Sequence, residues 1–418
     1  FPEGNEPLLS ADERDNLKQF LNSLRGGQTW VLITSRREEP WLDCNYSLVN
    51  LQGLSGADAQ EYAAKILQSV GVDRKNLQEE YLDLLKLLDG HPLSLRVVLP
   101  HLKTQAPSQL IEGWHRGLDN LEKKTETGRD KSLTASLDYS FSKLSKKART
   151  HLPFLGFFYD RVYGYWLSIF VGKPGCEVER AYKDVFGSSL KVKDWQRILD
   201  EAAEVGIVEH LSSTVYKIHP ALPWYLRQKI NAKASITKIR ELEKHVLMFY
   251  AALAENYAEE IISNPENVSL MLRIEEPNFL HMLHLAEKNQ DWHIVRLILS
   301  LLGEIYKRWG RKQEINSLRQ RIFKKLGTNI QDVKEKGNSA FDLWMYLQNN
   351  IANEASAFGD LETAKIIYQK VLDELLSINS VSVNDGIATL NNNLAGISIK
   401  QRNFDAAIVY LKTALGIR

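Results

Sequence analysis

Residues 193–219, KDWQRILDEAAEVGIVEHLSSTVYKIH, decide the fold of the middle of this sequence. The first twelve carry apolar side chains at helical spacing, and two short runs, IVEHL and VYKIH, then flank the polar turn SST. A helix that leads into a tight two-stranded hairpin is typical of a winged helix-turn-helix. Three helical segments precede this stretch and the helix ALPWYLRQKI follows it, so we assign 131–232 to a winged-helix domain.

Upstream of this domain, residues 51–130 are predicted to form a helical domain. Ser55 is a typical helix N-cap, a later helix stops at Gly90, and Pro92 stands where the next helix should begin. The charged stretch 122–131, EKKTETGRDK, has no apolar period. We therefore place a domain boundary there.

Residues 1–50 have a different pattern, a helix followed by the apolar run TWVLIT at 29–34. A short continuous apolar strand of this kind is buried on both faces in parallel sheets. One helix and one strand cannot form a sheet, so we expect the rest of an α/β domain upstream of Phe1.

The second half of the chain is predicted to be helical throughout. Residues 233–338 show no strand pattern, and 339–418 contain a weak internal repeat with an offset of 43 residues. The repeat aligns AFGDLETAKIIYQKVLDEL (357–375) with QRNFDAAIVYLKTALGI (401–417), pairing Ala364 with Ala407 and Tyr368 with Leu411. Repeats of this length stack helix pairs into a superhelix similar to long tetratricopeptide repeats, and we expect more of them after Arg418.

Composition indicates an ordinary globular protein. Among 418 residues, 44% are hydrophobic and 25% are charged, with a formal net charge of +1. That balance provides no global attraction to nucleic acid or to an anionic membrane. Two cysteines form neither a disulfide framework nor a metal cluster, which favours a cytoplasmic location. No apolar run approaches the roughly 20 residues that cross a bilayer, so we expect no membrane partner.

Three short motifs occur in a suggestive order: VLITSR at 31–36, LDGHPLSL at 88–95 and YKIHPAL at 216–222. This order resembles the signal-transducing ATPases with numerous domains (STAND), specifically their NB-ARC type, over about residues 15–225. The fold implied is mainly α: a remnant of an α/β nucleotide-binding domain, a helical lid, a winged helix, a helical arm and a tetratricopeptide-like superhelix. The implied domains are, in order, 1–50, 51–130, 131–232, 233–338 and 339–418.

The resemblance also implies roles for individual residues. Arg36 would read the terminal phosphate of a nucleotide, and Pro92, with Gly90 before it, would pack near the adenine. His219 would contact the β-phosphate of bound ADP and hold a closed state. The sequence departs from the family pattern at His91, where the family has leucine. It departs again at Pro220, where the family has an aspartate, so the role of that carboxylate is absent.

A phosphate-binding loop is missing from the sequence. No GxxxxGK[ST] occurs, because Gly172–Lys173 lacks the upstream glycine and the hydroxyl residue, and TGRDKS at 127–132 separates its glycine from its lysine. In the family this loop and the acidic strand that binds Mg²⁺ precede the sensor strand, so we expect both upstream of Phe1. The resemblance thus implies ADP or ATP, with Mg²⁺, in a slowly ATP-hydrolysing parent. We expect this chain alone to be inactive and to hold no nucleotide tightly.

The function that the resemblance implies is a signalling switch. A protein or small-molecule effector at the repeats would open an ADP-bound closed state, and the full-length active state would self-associate with ATP. An alternative interpretation is a non-catalytic repeat scaffold whose nucleotide domain is degenerate. The upstream sequence would distinguish the two, since a phosphate loop followed by an acidic strand favours the switch.

A third interpretation is a winged-helix transcription regulator. The helix that would enter the DNA groove, 193–204, has a net charge of −2, the wrong sign for a phosphate backbone, so we expect no nucleic-acid partner. The histidines of HMLH, 281–284, have a spacing that a metal could use, but no third ligand is arranged nearby. We interpret them as packing residues and predict no metal site and no catalytic residue.

Overall fold

A computed structural model describes residues 11–33, 40–42, 47, 49, 53–73, 77, 80–88, 90–112, 128–170, 175–327, 330–378 and 384–417. Throughout these ranges the protein is mainly α, with a small antiparallel sheet and a long stack of helices. This agrees with the predicted fold class. Contacts divide the chain into two compact units, the first comprising 1–145 and 204–207 and the second 146–203 and 208–418. The five predicted domain ranges stay a prediction.

The first unit is helical. Its helices are α1 (Ala11–Ser23), α2 (Gly56–Ser69), α3 (Glu80–Leu87), α4 (Pro92–Val98) and α5 (Gly128–Lys143), with 3₁₀ turns at Pro40–Leu42 and Leu99–Lys103. Ser55 caps α2 as predicted, its hydroxyl accepting the Asp58 backbone N–H at 3.3 Å. The core of this unit contains buried leucines, valines and alanines of α2 to α5 and the aromatic rings of Tyr81 and Tyr139.

The predicted buried strand at 29–34 is wrong for the part of it that the structure describes. Residues 29–33 form no strand, and the side chains of Trp30 and Leu32 are 97% and 91% exposed. A strand exists only where its backbone pairs with a neighbour, and the described residues offer this segment none. Helix α1 forms as predicted, but none of its residues is buried.

The second unit begins with a small sheet surrounded by helices. Its strands β1 (Arg161–Tyr163), β2 (Val208–His210) and β3 (Val215–Ile218) pair antiparallel in the order β1-β3-β2. Around them lie α6 (Lys146–His151), a 3₁₀ turn at Leu152–Phe157, α7 (Gly164–Phe170), α8 (Glu177–Phe186), α9 (Val192–Glu204) and α10 (Leu222–Asn231). The predicted helix, hairpin and following helix within 193–231 are thus confirmed.

The rest of the second unit is a succession of helices packed on their neighbours in sequence. They are α11 (Ile236–Ser263), α12 (Pro265–Lys288), α13 (Trp292–Arg308), α14 (Lys312–Leu326), α15 (Ile330–Glu335), α16 (Asn338–Ala357), α17 (Leu361–Ile378), α18 (Asn384–Lys400) and α19 (Phe404–Ile417). The aligned repeats correspond to α17 and α19. None of the described helices combines the length and the apolar character needed to span a bilayer.

Candidate functional site

The predicted phosphate sensor, Arg36, lies outside the described residues, because 34–39 are not among them. Its proposed role therefore stays a prediction. The three other predicted site residues are described, and each stands at the boundary of a helix or strand. Their local geometry shows what each backbone position is built to do.

Gly90 is required by a close approach of two backbones. Its φ of +60° lies in the left-handed region, and its carbonyl accepts the Leu54 N–H at 2.9 Å. A Cβ at this position would lie 2.3 Å from the Leu54 carbonyl oxygen. The residue that approaches Gly90 is thus Leu54 of the chain itself, which gives this glycine a packing role that motif comparison alone did not reveal.

Replacement of Gly90 by alanine should therefore destabilise the first unit. The left-handed backbone and the clash with Leu54 together should lower the free energy of unfolding by about 2–3 kcal/mol. Gly71 is a matched control, since its φ is +76° but a Cβ there would meet nothing within 4 Å. Gly71→Ala should cost only the backbone part, about 1 kcal/mol, because an alanine there must adopt the left-handed conformation. Urea denaturation of both variants measures the difference, and equal losses would contradict the close approach.

Pro92 is the first residue of α4, as predicted. Its missing N–H costs nothing there, and the His91 side chain caps the helix by accepting the Ser94 backbone N–H on Nδ1 at 3.3 Å. His91, where the sequence departs from the family motif, thus has a structural function. Pro92 itself is exposed, while Leu93, Ser94 and Leu95 behind it are buried. Its ring is available to pack against a planar group.

His219 occupies the junction between β3 and α10. Its Nδ1 accepts the Ala221 backbone N–H at 3.2 Å, and its carbonyl accepts the Leu222 N–H at 2.8 Å. A neutral imidazole that accepts on Nδ1 carries its proton on Nε2. The backbone at the hairpin exit thus orients a half-buried ring with a donor at its far end. Gly90 and Pro92 belong to the first unit and His219 to the second, so their convergence on one nucleotide stays a prediction.

A buried polar network in the second unit was missed by sequence analysis. The Asn278 side chain on α12 accepts the Tyr159 N–H at 2.7 Å and donates to the Arg161 carbonyl and to Glu275 Oε2, both at 2.9 Å. The Tyr250 hydroxyl of α11 donates to the same Glu275 oxygen at 2.9 Å. The Asn278 side chain thus connects α12 by hydrogen bonds to the backbone segment that leads into β1. Pro277, inside α12, is a local signal in the sequence that this helix is unusual.

Burial sets the protonation of this network. Glu275 is 2% exposed, and burial raises the pKa of its carboxyl to about 7, despite the hydrogen bonds from Asn278 and Tyr250. Burial also lowers the pKa of His281, six residues further along α12, to about 3. The His281 ring packs on Tyr159 with centroids 4.0 Å apart. Among the described residues, no group of three or more His, Cys, Asp or Glu side chains could hold a metal ion.

Comparison with known proteins identifies no family for this chain. No protein-family model matches the sequence, and no curated protein matches it. One solved structure resembles the chain: a STAND protein with a tetratricopeptide repeat sensor from Pyrococcus horikoshii, at 14% identity and a TM-score of 0.28. The match covers 88% of this chain and 54% of that one, so this chain spans about half the length of that protein. At this TM-score the likeness carries no argument about function.

Proposed function

We propose that this chain is part of a nucleotide-regulated signalling switch of the STAND type. The proposal rests on the ordered motifs at 31–36, 88–95 and 216–222. It is supported by the local geometry of the two motifs whose site residues are described. Pro92 presents an exposed ring at a helix start, and His219 presents an oriented imidazole at a hairpin exit. Those are positions from which a side chain can contact a ligand.

The observation that carries the proposal furthest is the setting of His219. The hydrogen bond to Ala221 N holds the ring so that Nε2 is the donor, and a donor at that atom suits a phosphate oxygen. ADP, when bound, would supply the diphosphate that His219 contacts, with its adenine beside Pro92. Arg36 would bind the terminal phosphate of ATP. In this scheme His219 stabilises the closed state only while a diphosphate is present.

The helical repeats would supply the second half of the switch. A protein or small-molecule effector bound to α16–α19 would favour the open state, because a ligand shifts an equilibrium toward the state that it binds better. A coupling free energy of about 1–3 kcal/mol between two sites is typical of allosteric proteins. ATP-dependent self-association of the full-length protein, and a cytoplasmic location, belong to the same proposal.

His219→Ala should shorten the lifetime of bound ADP. The experiment uses a form of the protein that binds nucleotide and follows the release of a fluorescent N-methylanthraniloyl ADP. We expect this ADP to dissociate at least about tenfold faster from the variant, because the variant lacks one charge-assisted hydrogen bond to the phosphate. His210→Ala is the matched control, since His210 is an exposed histidine of the same sheet. An unchanged release rate and unchanged self-association in His219→Ala would refute the role of His219. Turnover of ATP by the purified chain 1–418 would refute its predicted inactivity.

A non-catalytic scaffold is the second candidate. The stacked helix pairs α16–α17 and α18–α19 favour it, because such stacks present extended surfaces to partner proteins without any need for nucleotide. The gene sequence upstream of Phe1 distinguishes the two candidates. A GxxxxGK[ST] motif followed by an acidic strand supports the switch, and its absence supports the scaffold.

A further inference from the structure

Gly206 lies against the backbone of helix α4, although it follows α9 in the sequence. It is buried, and its φ of +75° lies in the left-handed region. A Cβ at this position would lie 2.3 Å from the Arg96 carbonyl oxygen and 3.2 Å from Val97 Cα. Residues 204–207, here called the linking segment, belong by their contacts to the first unit, whereas the residues on both sides of them belong to the second. The contact of Gly206 with α4 thus fixes the chain between α9 and β2.

A left-handed turn alone does not explain this glycine. Gly187, which ends α8, has a similar φ of +80°, but a Cβ there would meet nothing within 4 Å. At Gly206 the space for a side chain is occupied by the main chain of α4, and the main chain of a buried helix cannot move aside as the end of a flexible side chain can. Gly206 is therefore a contact residue as well as a turn residue.

The part of α4 that Gly206 contacts is itself fixed by a buried hydrogen bond. The Ser140 hydroxyl of α5 donates to the Val97 carbonyl at 2.7 Å, and His101 Nε2 lies 2.9 Å from the same Ser140 oxygen. Ser140 and Val97 are completely buried. Such a hydrogen bond resists displacement, because breaking it leaves a buried carbonyl without a partner. Helices α4 and α5 thus form a rigid support for the linking segment.

The linking segment leads directly into the hairpin that ends at His219. Ile207 is buried, β2 begins at Val208, and Val208 is paired with Ile218 at the end of β3. His219 is the residue after Ile218. Because paired strands are joined by backbone hydrogen bonds, they move together. The position of the linking segment therefore determines where β3 ends.

We propose that Gly206 is a positioning residue that couples α4 to the β2–β3 hairpin, so that a displacement of α4 moves His219. Pro92 begins α4 and lies four residues before Arg96, about 6 Å along the helix axis. A nucleotide that packs on Pro92 would thereby act on His219 through the chain, in addition to its direct contact. The role of the nucleotide rests on the proposed function, whereas the coupling itself requires no nucleotide.

Hydrogen exchange followed by mass spectrometry on the chain 1–418, without nucleotide, tests the coupling. Gly206→Ala should accelerate exchange at least about tenfold in peptides that cover 93–102 and 208–218, because the added Cβ separates the linking segment from α4. Gly187→Ala is the matched control, since it carries the same kind of backbone strain but should leave exchange in 93–102 unchanged. Unchanged exchange of 93–102 in Gly206→Ala, or equal effects of the two variants, would overturn the proposal.

A second pair of variants tests transmission without altering Gly206, and it applies even where Gly206→Ala does not fold. Ser140→Ala removes the hydrogen bond to Val97 and loosens α4, so exchange in 208–218 should rise about fivefold although the hairpin contains no changed residue. Ser55→Ala is the control, since it removes a helix cap of comparable value in the same unit, but at α2. Exchange in 208–218 that is unchanged in Ser140→Ala, or that rises equally in Ser55→Ala, would refute the coupling.

Adding ADP distinguishes a failure of the coupling from a failure of the proposed function. In a form of the protein that binds nucleotide, His219→Ala removes the direct contact, so any effect of ADP on 208–218 must pass through α4 and Gly206. We expect ADP to slow exchange of 208–218 in this variant, and Gly206→Ala added to it to abolish the effect. Slower exchange of 93–102 alone would overturn the coupling and leave the proposed function intact. Absence of ADP binding by the wild type would refute the proposed function, and the exchange measured without nucleotide would still decide the coupling.

Discussion

Phe154→Ala should lower the free energy of unfolding by about 3–5 kcal/mol. Phe154 lies in the 3₁₀ turn Leu152–Phe157 and is fully buried. Its ring has its centroid within 6.0 Å of those of six other aromatic rings: Phe157, Phe158, Phe170, Tyr182, Phe186 and Trp195. These rings come from α7, α8, α9, the turn itself and Phe158 directly after it, so the cavity would remove a contact common to all of them.

The cost should be high because these neighbours cannot easily collapse into the space. Aromatic rings move as rigid plates, and a void among them forfeits dispersion contacts on every side. Urea denaturation followed by circular dichroism measures the loss. Tyr165→Ala is the control, since Tyr165 belongs to α7 but is 52% exposed and should cost well under 1 kcal/mol. A loss below about 1 kcal/mol for Phe154→Ala would contradict the packing described.

Glu275→Gln should stabilise the protein at alkaline pH. The pKa of Glu275 is about 7 in the folded chain and close to its ordinary 4.5 when unfolded, so the folded state holds the proton more tightly. The contribution of this carboxyl to stability therefore falls as pH rises from 4.5 through 7, by roughly 3 kcal/mol in all. Glutamine keeps an oxygen that can accept from Asn278 and Tyr250, but it does not titrate. We expect Glu275→Gln to gain about that amount over wild type at pH 8 and little at pH 4.5.

The difference between variant and wild type isolates this residue from its surroundings. Tyr250 and Tyr257 on α11 face Glu275, and burial raises the pKa of both, so they stay neutral below pH 9. The pKa of His281 is lowered, so its contribution to the free energy of unfolding falls as pH drops below about 6.5. This contribution is the same in variant and wild type, so it cancels in their difference. Denaturation curves at pH 4.5, 6, 7 and 8 give the profile. A pH-independent difference would show that the pKa of Glu275 is the same in the folded and unfolded states, and it would contradict the raised pKa.

Local signals in the sequence predicted local structure well. Ser55 caps α2, Pro92 begins α4, and the turn SST joins β2 to β3, because in each case the residues that act are within a few positions of one another. The same logic failed at Trp30 and Leu32. Their apolar pattern predicts a buried strand, but burial needs a partner that local pattern does not specify.

Contacts between distant residues were beyond sequence reasoning. The Asn278 side chain forms hydrogen bonds with backbone groups 117 and 119 residues away. The missing Cβ of Gly90 leaves room for the backbone of Leu54, which comes from a different loop. Neither contact can be predicted from hydrophobic periodicity, since each depends on a single residue and not on a repeated pattern. The candidate site divides in the same way. Motif order selected Arg36, Pro92 and His219, whereas the hydrogen bonds that orient His91 and His219 were found only in the folded chain.

By itself, then, the sequence determined the helices, the hairpin and the spacing of the repeat, because hydrophobic periodicity and capping act over one or two turns. Tertiary structure decided which apolar faces are covered, where Asn278 meets the backbone that leads into β1, and that Glu275 is buried beside it. Burial and buried hydrogen bonds depend on which segments approach, and only the folded chain brings them together.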